Sequence, residues 1–283
     1  TLPAFNKNVF VSVPDLTLKF SGTDPYARDR QITAEFRSFI NHVSKTQRSF
    51  FSFIFYDSAH GFCAIENNNG PFTPVIKKCD RFNMSNTTDP VPYFNRYKNS
   101  LHLVDAQVGE VINLLKAHHL LKNTVVIITG DHGEEFNDNH HGYWGHSSNF
   151  THYQVQTPLV IYWPDKKPDK IMHQTTHFDI APTLMETVLG CQTSADQYSI
   201  GSSLFKKNSS PYIIVGSYIG FGIVEPTQIT NVYSGGFSVS AMDASPMKKI
   251  QLNNSLMASA FQKMRRFYYF STNTFISRAS DRP

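Results

Sequence analysis

Asp131 and His132 stand on consecutive positions between Gly130 and Gly133, directly after the β-branched run Val125 to Ile128. A carboxylate oxygen and an imidazole nitrogen form a donor pair suited to Zn2+ or Mn2+, and two side chains do not complete a metal shell. Other parts of the chain must therefore converge on them. His60 follows the aromatic run Phe50 to Tyr56 through Asp57-Ser-Ala and precedes Gly61, and His146 follows Gly145 at the end of a stretch too polar to be core. A divalent ion neutralises charge on a phosphoryl or sulfuryl oxygen and lowers the pKa of a bound hydroxyl, while imidazoles donate to non-bridging oxygens or to a leaving group. Hydrolysis or transfer of such esters fits this set. The chain has no Gly-rich phosphate loop of the nucleotide-binding kinds and no Ser/His/Asp hydrolase elbow. The neighbouring candidates have plainer readings. His140 and His141 read as exposed loop residues, His177 as a cap of the following helix, and Glu134 and Glu135 as first-turn helix residues.

These groups need elements to hold them. Val125 to Ile128 reads as a strand covered on both faces, because a short apolar run without polar alternation suits a parallel sheet, and open α/β sheets place ligands at the carboxyl ends of such strands. Phe50 to Tyr56 reads as a second buried strand and Thr157 to Trp163 as a third, ending at Pro164. Thr23-Asp24-Pro25 opens a helix with a capping oxygen and a proline in the first turn. Its apolar positions are Ile32, Phe36, Phe39, Ile40 and Val43, with Arg28-Asp29-Arg30 on a solvated face. Tyr93 to Leu121 carries a longer apolar stripe and reads as the crossover helix of a βαβ unit. Asp179 to Leu189 reads as a helix with Pro182 in its first turn and Gly190 as its stop.

The sequence predicts an α/β fold: a mostly parallel central sheet flanked by helices over 1–205, then a small antiparallel lobe over 206–283. In that lobe Tyr212 to Tyr218, Gly222 to Tyr233 and Phe237 to Met242 read as strands and Leu252 to Phe267 as a closing helix. Leu2 to Phe20 reads as extended segments and turns. The 283 residues, 40% hydrophobic and 17% charged, suffice for a full core. A charge of +4 with no Lys/Arg run beyond two residues excludes a nucleic-acid stripe and leaves an anionic substrate or membrane surface open. No apolar run approaches the ~18 residues that span a bilayer. Cys63 and Cys79 bracket the long Pro/Asn-rich loop Phe62 to Pro92, where a bridge would act as a staple, and the spacing leaves that pairing open. Cys191 reads as a buried free thiol.

Taken together, Thr129-Gly-Asp131-His132-Gly133-Glu134, Gly145-His146, Thr157 to Pro164 and Asp179-Ile-Ala-Pro-Thr183 resemble the sulfatase branch of the alkaline phosphatase superfamily. Within it, Arg28-Asp-Arg-Gln-Ile-Thr33, Phe55-Tyr-Asp-Ser-Ala-His60-Gly61 and Tyr93-Phe-Asn-Arg-Tyr-Lys-Asn99 resemble the periplasmic domains of PbgA/YejM-type inner-membrane proteins. The resemblance implies that Asp131 and His132 are ligands of a divalent metal (Zn2+, Mn2+, Mg2+ or Ca2+). It implies that His60 and His146 contact the substrate's phosphate or sulfate, or complete a second metal site. A further acidic ligand and a Thr, Ser or modified Cys nucleophile, both expected N-terminal to the residues present, are not found, and membrane helices are expected there too. The implied function is a metal-dependent hydrolase or phosphoryl-group transferase acting on an anionic ester, including a membrane lipid, at the periplasmic face of the bacterial inner membrane. The alternative is a catalytically silent lipid-binding or regulatory module.

Overall fold

A computed structural model describes residues 24–46, 48–80, 84–207, 210–218, 220–247 and 252–265; the readings of 2–20 and of a helix end at Phe267 lie outside them. The chain forms two compact units. One holds the described residues up to Ile127 with Ile161–Asp165, and the other holds Ile128–Val160 and the described residues from Lys166 onward.

In the first unit, α1 (Pro25–Val43) starts as the sequence predicts: Asp24 Oδ1 accepts the Tyr26 N–H at 3.1 Å and proline opens the first turn. Phe36 and Ile40 of α1 pack against Val111, Leu114 and Leu115 of α2 (Val91–Ala117), with Phe50 and Ile54 laid beside them. The solvated face expected for Arg28-Asp29-Arg30 is not what forms. Asp29 is 0% exposed, and its two carboxylate oxygens accept the N–H groups of Asp57 and Ser58 at 2.8 and 3.0 Å, while Arg28 pairs with Asp57. Burial pushes the Asp29 carboxyl above its ordinary 3.8, against the opposite pull of those two N–H bonds.

The strand expected over Phe50 to Tyr56 is absent: the segment joins no ladder among the described residues, and Phe51 is 82% exposed, with Phe53 and Phe55 also exposed. Only Phe50 and Ile54 reach the core, and the N–H groups at 57 and 58 go to Asp29 instead of to a neighbouring strand. The first half of α2 buries polar side chains where an apolar stripe was expected. Arg96 donates to the carbonyls of Phe62 (3.0 Å) and Ile65 (2.7 Å), Asn95 to Pro74, and Asn99 both donates to and accepts from Phe72. These bonds, with a Cys63–Cys79 disulfide, tie the long loop to the helix.

β1 (Val126–Thr129) and β4 (Leu159–Tyr162) pair with each other. Both were expected to be covered on two faces, yet Ile128, Val160 and Tyr162 are exposed, because each strand has a single partner among the described residues. In the second unit a meander of β5 (Ile213–Gly216), β6 (Gly220–Val224), β7 (Gln228–Tyr233) and β8 (Gly236–Ala241) forms an antiparallel sheet, as the alternating texture predicts. Helix α5, over 254–265, closes it through Leu256 and Ala260 on Tyr212 and Ile223. The helix expected from Asp179 is α4 (Ile180–Thr187), entered through a 3-10 turn, and Gly190 takes a left-handed φ of 64° beyond it. Cys191 is free but half-buried, not buried as expected. The fold is α/β, and no described helix is long and apolar enough to cross a membrane.

Asp29→Ala orphans two buried N–H groups, each costing about 1–3 kcal/mol. Because the folded-state pKa of Asp29 is raised, its contribution is fully present below 3.8 and declines as pH rises through the folded value. Urea melts of wild type and Asp29→Ala should therefore differ more at pH 3.5 than at pH 7; a gap that widens with pH contradicts this.

Candidate metal centre

The turn after β1 is set by backbone packing. Gly133 donates its N–H to Gln154 O at 2.8 Å, and a Cβ on Gly133 would lie 2.2 Å from Tyr153 O. Only glycine permits that approach to α3 (His152–Val155), and the approach fixes where Asp131 and His132 emerge. His132 Nδ1 lies 2.8 Å from Gly133 O; a carbonyl only accepts, so the ring proton sits on Nδ1 and the Nε2 lone pair is left facing outward. That Nε2 is 3.8 Å from Asp131 Oδ1.

His146 arrives on a hairpin. β2 (Glu135–Phe136) pairs antiparallel with β3 (Trp144–Gly145) in the register Glu135↔Gly145 and Phe136↔Trp144. One step further, Glu134 faces His146 across the pair, and Glu134 Oε2 accepts from His146 Nδ1 at 2.7 Å. Glu134 is thus a hydrogen-bond acceptor in an extended segment, where a helical first turn was expected for both glutamates. The imidazoles of His132 and His146 stack with centroids 4.0 Å apart. Each has an acceptor at Nδ1, the arrangement that orients metal-ligating histidines through an outer acceptor.

The residue beside Glu134 points the other way. Glu135 is 0% exposed, and its Oε2 accepts from Asn149 Nδ2 (2.8 Å) and Gln154 Nε2 (2.6 Å). Gln154 Oε1 in turn accepts the N–H groups of Ser148 and Asn149 at 3.1 and 3.3 Å. This network ties the segment after His146 to α3 and so to Gly133. Asp131, His132 and His146 share a cavity of about 300 Å³ with Phe150, Val155 and Tyr218.

Of the residues singled out in the sequence, Asp131, His132 and His146 are brought together within the second unit. His60 belongs to the first unit, in a turn closed by Gly61 N–H to Asp57 O at 2.8 Å. His140 is exposed at a left-handed φ of 58°, and His141 is exposed near Asp243, as read. His177 does not cap α4. A capping box between Thr176 and Asp179 closes the 3-10 turn that leads into α4, and His177 Nε2 instead lies 2.8 Å from Gly130 O, steadying the Asp131 turn from outside. Thr176 and Asp179, three residues apart, were the legible signal for the cap, and they leave His177 without that task.

The residues present fit a divalent ion. Atoms 3.8 Å apart can both lie about 2.1 Å from a single centre, and the Asp131 oxygen and the oriented His132 nitrogen match ligands of Zn2+ or Mn2+.

A family model described as Sulfatase matches residues 4–190. The inner membrane protein YejM of Salmonella typhimurium is 27% identical over 179 residues, 62% of this chain and 29% of that protein. The choline-sulfatase of Rhizobium meliloti is 28% identical over 113 residues, 40% of this chain and 22% of the enzyme. The chain thus spans under a third of the length of these curated relatives. Among solved structures, a protein of the alkaline phosphatase superfamily from Vibrio parahaemolyticus superposes with a TM-score of 0.56 at 17% identity, covering 91% of this chain and 58% of that one. The lipoteichoic acid synthase LtaP of Listeria monocytogenes gives 0.54 at 16% identity, covering 91% and 60%. At such identities the likeness speaks for the fold alone. The family model covers well over half of the 283 residues, and on that match the chain belongs to the Sulfatase family, as a module of the sulfatase/alkaline phosphatase type.

Proposed function

We propose that this module serves a divalent-metal-dependent hydrolase or phosphoryl-group transferase acting on a phosphate or sulfate ester. The observation that carries the reading is the convergence of Asp131, His132 and His146 on one cavity, with His132 Nε2 3.8 Å from Asp131 Oδ1 and the Nδ1 of each ring bonded to a carbonyl or a carboxylate. Asp131 and His132 are the ion's ligands. The bound ion, Zn2+, Mn2+, Mg2+ or Ca2+, supplies charge that polarises the ester oxygens and acidifies an attacking hydroxyl. His146 faces the ester, and the Glu134 carboxylate bonded at Nδ1 orients its ring toward a non-bridging oxygen. On resemblance alone, His60 takes a similar role. By resemblance too, the attacking group is a Thr, Ser or modified Cys, and no residue of this chain is assigned to it.

The relatives named as an inner membrane protein and as lipoteichoic acid synthase-like support an anionic lipid or membrane polymer as the ester, with the periplasmic face of the inner membrane as the location. The second reading, a catalytically silent lipid-binding or regulatory module, shares the metal site and differs in turnover.

Metal analysis after dialysis against Mn2+ should find the ion in wild type and at least about tenfold weaker binding in Asp131→Ala. Equal metal in both proteins sinks the reading. Hydrolysis of 4-nitrophenyl phosphate or sulfate by the metal-loaded protein decides between the two functions, since metal without turnover selects the regulatory one. Gly133→Ala keeps every ligand yet pushes the turn off Tyr153 O, so metal affinity should fall with the ligands intact; unchanged affinity separates the turn from the site.

A further inference from the structure

The cavity beside Asp131 has two unlike ends. One carries Asp131, His132 and His146; the other is formed by Phe150, Val155 and the β5–β6 turn with Tyr218. The amides in the lining are largely committed. Asn149 gives Nδ2 to Glu135 and takes the Thr151 N–H on Oδ1 at 2.9 Å. Gln154 gives Nε2 to Glu135 and to Ser148 Oγ and takes two N–H groups on Oε1. Gln154 has no donor to spare and Asn149 has one N–H left, so beside Ser147 and Ser217 the rest of the lining offers mainly apolar surface and one tyrosine.

Phe150 is held in place by the sheet. A Cβ on Gly222 of β6 would lie 2.5 Å from Phe150 Cδ2, so the ring occupies space that any other residue would fill, and it packs with Val224 and Ile229. Tyr218, by contrast, is 83% exposed at the hairpin tip, where Ser217 N–H to Gly220 O closes the turn at 2.9 Å. An aromatic ring with two side-chain torsions gives a large contact face at small ordering cost. The volume, about 300 Å³, is at the lower bound of small-molecule sites, which accommodates an anionic head and one ring but not a long chain.

We propose that Tyr218, backed by Phe150 and Val155, is a specificity wall for the organic group of the ester, selecting a ring with an apolar face, either aryl or sugar. The anionic group lies at the imidazole end. This rests on the reading of Asp131 and His132 as ion ligands.

The test uses ligands that cannot turn over. Calorimetric titration of the Mn2+-loaded chain with phenylphosphonate, the phosphonate isostere of glucose 6-phosphate and methylphosphonate should show at least one ring compound binding about 3–10-fold tighter than methylphosphonate. Tyr218→Ala should bring that ratio close to one, with the loss falling on the ring compound, and Tyr218→Phe should keep it. A preference for phenylphosphonate identifies the ring as aryl, and one for the phosphonate isostere of glucose 6-phosphate as sugar. Wild type that binds all three equally, or a Tyr218→Ala variant that weakens all three alike, overturns the wall while leaving the metal site standing. Binding of none by the metal-loaded wild type overturns the wall and the functional reading together. Retained binding of all three in Asp131→Ala overturns the reading of the ion ligands alone.

Discussion

Gly133 gives its N–H to Gln154 O at 2.8 Å in a place where a Cβ would collide with Tyr153 O, so backbone contact holds the Asp131-His132 turn alongside the bonds of its own side chains. The same α3 turn supplies Gln154 to the buried Glu135, and Glu135 lies next to Glu134, which holds His146. One close approach therefore sets the relative positions of all three candidate site residues in the second unit. Consecutive residues of an extended segment face opposite sides, and Glu134 and Glu135 use this: one faces the site and the other the interior.

Glu135 is an expensive way to organise a loop. A buried carboxylate is tolerated only when hydrogen-bonded, and here Oε2 receives two amide donors while Oε1 has no partner among the described residues. Apolar replacement of such networks is often neutral or stabilising in other proteins, so the network's effect is better sought in geometry than in stability. It takes up the donors of Gln154 and one of Asn149, which fixes the segment from His146 to Val155 and leaves few amide groups to compete for a ligand. Asp29 acts in a parallel way in the first unit, where a buried carboxylate terminates two N–H groups and sets the approach to the turn carrying His60.

What was legible in the sequence followed local rules. Asp24-Pro25 marked a helix start, Val125 to Ile128 a strand that runs Val126–Thr129 in the fold, and the Gly- and Asn-punctuated alternation after residue 205 an antiparallel meander. The misses came from partners remote in sequence. Asp29 resembles a solvated charge until the N–H groups 28 and 29 positions away are seen to need an acceptor. Phe50 to Tyr56 has a strand's composition, but composition does not supply a neighbouring strand. The buried face of α2 was hidden because Arg96 and Asn99 serve loop carbonyls that lack secondary-structure partners, a demand that periodicity does not register. His177 and Glu134 were misassigned because a capping role and a helical first turn are the local defaults for those residue types, whereas their actual partners, Gly130 O and His146, are set by chain folding.

The charge pattern of the cavity carries a consequence for binding order. The imidazole end presents the exposed Asp131 carboxylate, which repels an anionic ester. A divalent ion reverses that sign, so in the proposed function ester affinity and ion affinity are raised by one another by the same factor. The Tyr218 end carries no charge and takes no part in that coupling, because dispersion and apolar burial against Phe150 and Val155 do not depend on the ion. The two ends of the cavity therefore contribute separably: the ion sets whether an anion binds at all, and the aromatic wall sets which organic group accompanies it.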